Sequence, residues 1–194
     1  GMWLGVSGYS TIEPPDTISP EMIFNFINVH ESFVSALMLS LAEEDLVSLD
    51  DSIGTYLTDL PETISGQITI RQLLYHMSGL YDYLNDPFPA TMDSLLADLD
   101  HLWTFEEILE KFMGPPHEEP GIMFSWSGTD FLLANEIIRR VTDTTISAQL
   151  HQRFLDSLSL ERTFFPPDDE LIEPVAHPWG KIYPSDIDAK DNWS

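Results

Sequence analysis

A chain of 194 residues with 43% hydrophobic and 11% aromatic content can bury one good core and is too apolar to be disordered. Its 33 acids against 8 bases give a net charge of −25, which makes nucleic acid and anionic membranes poor partners. It has no cysteine, hence no disulfide framework or thiolate metal site, and no run of about 18 apolar residues that would span a membrane.

Trp3 to Ser7 reads as a short strand ended by Gly8-Tyr9-Ser10. Three prolines between Thr11 and Pro20 predict a loop, and Ser19-Pro20-Glu21 predicts a single helical turn. Phe33, Val34, Leu37, Met38 and Leu41 recur at the spacing of one buried face, so a helix is expected from about Val29 to Glu43. Ile53 to Leu57 is a short element closed by Pro61. Thr69 and Gln72 form a capping box, with Gly79 as the expected C-terminal stop. Residues 81–103 are acidic and proline-interrupted and read as a surface excursion. Thr104 and Glu107 make a second capping box, opening a helix to about Met113 that Gly114-Pro115-Pro116 breaks. Two more helices follow. One runs from about Thr129 to Val141. The other runs from Ile146 to Leu158, with Leu150, Phe154 and Leu158 on one face. The tail from Pro166 is rich in Pro and Asp and has no period.

Three stretches are more specific than their periodicity: Leu46–Asp51 (Leu-Val-Ser-Leu-Asp-Asp), Thr69–Leu80 with its His76-Met77-Ser78-Gly79, and Pro120–Phe165. Together they resemble the serine β-lactamase and penicillin-binding-protein family, especially its class C β-lactamase and D-alanyl-D-alanine carboxypeptidase branch. The resemblance implies an α+β, mainly helical fold: the helical part of the β-lactamase/transpeptidase-like fold with most of the sheet missing. Residues 1–194 would form a single incomplete domain, with a strand over 3–10, a helical region over 20–165 and an irregular tail over 166–194. A helical layer without its sheet leaves an apolar face, which a second copy or the chain's own terminal segments are expected to cover.

The family's chemistry uses a serine nucleophile, a lysine three residues later that takes its proton, and a tyrosine in a Tyr-x-Asn motif. On the resemblance these positions are held by Asn28, Glu31, Trp126 and Gly128. Asn28 has no nucleophilic hydroxyl, Glu31 inverts the charge of the base, and indole does not relay a proton. No Ser-x-x-Lys exists elsewhere, because Ile108, Pro178 and Ile187 stand three residues before Lys111, Lys181 and Lys190. No catalytic residue of the family type is therefore expected. The expected role is binding of a peptide or cell-wall-like ligand by Asn28, Glu31, His76 and Trp126, with Tyr81 and Tyr83 as further candidates for the cleft wall.

Two alternatives stay open. One is a rebuilt esterase or amidase site in which Glu31 or His30 activates water. The other is a folded gene fragment without a selected activity. No cofactor or metal is expected, and the Asp and Glu runs read as solvated faces. Met2 leads directly into Trp3-Leu4-Gly5-Val6 without a signal-peptide pattern, although relatives of this kind are often exported.

Overall fold

A computed structural model describes residues 3–12, 14–61, 64, 66–86, 94, 97 and 101–176. The architecture is mainly helical with one two-stranded sheet. Strands β1 (Tyr9–Ile12) and β2 (Pro15–Thr17) pair antiparallel, Tyr9 opposite Thr17 and Ile12 opposite Pro15. The expected strand thus lies later than Trp3–Ser7, and Pro15–Thr17 of the expected 11–20 loop is its partner. A strand needs a neighbour for its backbone groups. The hairpin supplies one for Tyr9–Ile12, while residues 3–7 have no ladder partner among the described residues and leave Trp3 and Leu4 exposed.

A single turn, closed by Met22 N–H onto the Ser19 carbonyl, follows where expected. A 3-10 turn over Ile27–Val29 then leads into helix α1 (His30–Glu43). Its face of Val34, Leu37, Met38 and Leu41 is fully buried. At roughly 1.5–3 kcal/mol for each such side chain, this stripe anchors the core. The core completes itself with Ile53 and Leu57 of the next turn, Ile70 and Leu73 of helix α2 (Ile70–Leu74), and Leu133, Ile137 and Ile138 further along the chain. Both capping boxes form: Thr69 with Gln72 opens α2, and Thr104 with Glu107 opens α3 (Phe105–Phe112).

Helix α4 (Gly128–Thr142) is the central packing element and contacts both α1 and α2. Helix α5 (Ile146–Leu150) runs on into a π turn over His151–Leu155. That turn corrects the expected face of this helix. Closing the chain five residues back, as Asp156 N–H does onto the His151 carbonyl, moves the register by one residue. Leu155 is therefore buried, and Leu158 is 63% exposed.

Gly79 is not the stop of α2. His76 is the left-handed residue, at φ 52°. Its N–H bonds the Leu73 carbonyl and the Met77 N–H bonds the Gln72 carbonyl, the paired pattern of a Schellman end. Gly79, at φ 71°, instead lets the chain near Glu118 come close: a Cβ there would lie 2.2 Å from the Glu118 carbonyl oxygen. Nor is the start of 81–103 a surface excursion. Asp82 is only 5% exposed. Most of residues 87–100 lie outside the described residues.

The tail up to Ala176 folds back on the N-terminal segment. Ile23 pairs parallel with Val175 through backbone bonds to Pro174 and from Ala176. Residues 177–194 lie outside the described residues.

Candidate active-site remnant

Three elements converge on His76: the first turn of α1, the Schellman end of α2, and the first turn of α4. His76 is a non-glycine residue with positive φ, a conformation that costs on the order of 1 kcal/mol and is held by its surroundings. Its carbonyl accepts from Ser125 N–H at 2.8 Å, which pins the 124–127 segment beside the ring. Phe124, Trp126 and Phe131 surround the imidazole at centroid distances of 5.8, 5.9 and 5.2 Å.

Two carboxylates flank the ring. Glu31 Oε2 lies 3.3 Å from Nε2, and Asp130 Oδ2 lies 3.3 Å from Nδ1. The other Glu31 oxygen accepts the indole N–H of Trp126 at 3.1 Å. The other Asp130 oxygen accepts the Ser78 hydroxyl at 2.5 Å, and Ser78 Oγ accepts Leu80 N–H at 3.0 Å. Asp130 and Ser78 are fully buried, whereas the Glu31 side chain keeps 17% of its exposure and forms the open end of the row. Burial alone would lower the His76 pKa. Attraction to Asp130 and Glu31 outweighs it and holds His76 above the usual imidazole value. Burial pushes the Asp130 carboxyl up, against the hydrogen bonds from His76 and Ser78.

Asp82 supports this arrangement from the next strand of chain. Its Oδ1 accepts Gly128 N–H at 3.2 Å and Leu84 N–H at 3.1 Å, so it caps α4 in place of Ser127, whose buried hydroxyl has no partner among the described residues.

Of the residues singled out from the sequence, Glu31, His76 and Trp126 are brought together directly, with Gly128 at the mouth of α4. Asn28 is exposed on the turn before α1, and no hydrogen bond joins its side chain to the cluster among the described residues. Its neighbour Ile27 sits at φ 38°, a costly conformation for a β-branched residue. His30 faces a different region. Its Nδ1 bonds the Ile27 carbonyl at 2.6 Å, and its ring meets Phe131 and Phe165 edge-on. Tyr81 stacks on His117 at 5.3 Å.

Sequence reading missed Asp130, Ser78 and Asp82. An acid in the first turn of a helix reads as a dipole partner, so nothing in the local pattern marks Asp130 as buried. Among the described residues no group of three His, Cys, Asp or Glu side chains is placed to hold a metal ion, and no helix is long and apolar enough to cross a membrane.

The profile of the family described as Beta-lactamase matches residues 2–193. Protein flp of Staphylococcus aureus is 25% identical over 162 residues, covering 81% of this chain but only 31% of its own length. The D-amino acid amidase of Ochrobactrum anthropi SV3, complexed with L-phenylalanine amide, superimposes with a TM-score of 0.76 at 26% identity, over 89% of this chain and 47% of that one. The octameric penicillin-binding protein homologue of Pyrococcus abyssi gives a TM-score of 0.68 at 26% identity, over 87% of this chain and 39% of that one. The chain thus spans less than half of the structures it resembles, and what it shares with them is a largely helical part of the fold around one small sheet. With the family profile running along nearly its whole length, the chain belongs to the Beta-lactamase family.

Proposed function

We propose that this chain is a non-catalytic member of its family, and that its remnant cleft at Glu31, His76 and Trp126 binds a ligand without turning it over. The observation that carries this reading is the Glu31 carboxylate. Where the family resemblance expects a lysine base, one carboxylate oxygen is engaged by Trp126 and the other by His76. The acid thus spends both oxygens inside the cluster, one of them on the residue that stands where the resemblance expects the proton-relaying tyrosine. Asn28 offers no nucleophile to activate. Joint loss of nucleophile and base removes about 10⁴- to 10⁶-fold of rate in comparable enzymes.

The ligand class that fits is a peptide or cell-wall-like fragment, and the amidase relative adds amides of single amino acids to the candidates. A second copy of the chain is a further candidate partner, because Ile122, Met123 and Phe124 form an exposed apolar run beside the site.

The test is incubation with a fluorescent penicillin, a chromogenic cephalosporin and D-phenylalanine amide. The expected outcome is no covalent label and no product. Calorimetry should show saturable binding of the amide or of a D-alanyl peptide, weakened by Glu31→Gln. Covalent labelling or turnover would overturn the non-catalytic reading.

A second reading is favoured by His76, an imidazole between two carboxylates with its pKa raised toward the cationic form. In that reading Glu31, at the open end of the row, serves as general base for water on an ester or amide. Ester hydrolysis abolished by Glu31→Ala, with the fold intact, would establish it. His30 is the weaker candidate for that base, since it lies away from the row.

A further inference from the structure

Between the segment preceding α1 and the chain after α5 lies a cavity of about 420 Å³, a volume suited to a small molecule. It is separate from the Glu31–His76–Asp130 row. Phe24, Phe33, Leu150, Leu155, Phe164 and Phe165 make it apolar. Five polar side chains interrupt the lining: Asn25, His30, Asn135, Arg162 and Thr163. Asn135 buries its side-chain carbonyl oxygen with no hydrogen-bond donor among the described residues. Arg162 is exposed and spends a single N–H, at 2.6 Å, on the Glu21 carbonyl.

The pairing of the other arginines sets Arg162 apart. Arg71 pairs with Asp50, Arg139 with Glu136, Arg140 with Asp59 and Glu136, and Arg153 with Glu44. Arg162 has no carboxylate partner among the described residues, in a chain with 33 acids. A guanidinium carries five N–H donors in a fork that matches a carboxylate. Beside Arg162 the apolar cavity has a cationic rim.

We propose that this cavity binds a small monocarboxylate with an apolar body, of the size of a medium-chain fatty acid. The carboxylate pairs with Arg162 and the chain lies among the phenyl rings. The apolar lining provides burial, and the single cation fixes the polar end at the rim.

The experiment is calorimetric titration of the full chain with octanoate and with octan-1-ol, which share a chain length and differ in the end group. Octanoate is expected to saturate one site and to bind about tenfold tighter than the alcohol. Arg162→Gln should bring octanoate down to the level of the alcohol and leave the alcohol unchanged. Added salt should weaken octanoate alone. Val175→Trp adds an indole to the lining and should abolish binding of both probes, with circular dichroism reporting the fold. Glu31→Gln should leave octanoate binding untouched, which keeps this site independent of the proposed function. Equal affinity for acid and alcohol, undiminished octanoate binding in Arg162→Gln or Val175→Trp, or no binding of either probe would each overturn the proposal.

Discussion

The two regions that flank the start of α1 make an instructive pair. On one side Glu31, His76, Asp130, Ser78 and Trp126 form a continuous row of polar contacts. On the other, Phe24, Phe33 and Phe165 border a cavity whose lining includes one arginine, Arg162, without a carboxylate partner among the described residues. The first region gathers its polar side chains around one imidazole. The second keeps apolar surface that the described chain does not fill. A buried charge without a partner is far more costly than an unfilled apolar space, so a polar site that loses its chemistry must be rebuilt, while an apolar face can remain open.

The largest effect should come from taking the imidazole out of the row. His76→Ala leaves Glu31 and Asp130 facing each other and should cost about 3 kcal/mol in urea unfolding at neutral pH. A loss under about 1 kcal/mol would mean that water screens the row and that the two regions differ little. Next comes Trp126→Phe, which keeps a ring and removes the N–H on Glu31. It should cost about 1–1.5 kcal/mol, and Glu31→Gln in the same background should then add little, because one of the two donors is already gone.

The third test is pH. The folded His76 pKa lies above the ordinary value of 6.5. Its stabilisation is therefore fully present below pH 6.5 and is lost as the pH rises through the folded value. Asp130, also raised, acts in the same sense in more acidic solution. His76→Asn keeps a residue suited to the left-handed conformation and removes the titration. The melting-temperature advantage of the wild type over this variant should shrink steadily as the pH rises. An advantage that is constant or grows would contradict the charge assignment. The smallest effect belongs to the cavity. Val175→Phe fills part of it and should stabilise by about 0.5–1 kcal/mol, whereas a loss above about 1 kcal/mol would show a wall already closely packed.

Much of the helical framework was legible because its signals are local. The α1 stripe repeats within two turns, and each capping box spans four residues, so α1 begins and ends within a residue of its expected bounds. The misses share a cause. The strand was displaced because a strand is defined by its partner, here Pro15–Thr17. Leu158 was wrongly assigned to the core because a π turn changes register without a mark in composition. Gly79 stood as the helix stop on propensity alone, and His76 took that place because contacts from Glu31, Ser125 and Asp130 hold it there.

The sequence by itself determined the family pattern and the helices that carry it, since residue identity and short spacing suffice for these. Only the tertiary structure decided what Glu31 contacts. Its two oxygens are held by residues 45 and 95 positions away. Asp130 became part of the site through a hydroxyl 52 residues distant. Such contacts depend on how α1, α2 and α4 pack together, and packing is a property of surfaces that no single stretch of sequence contains.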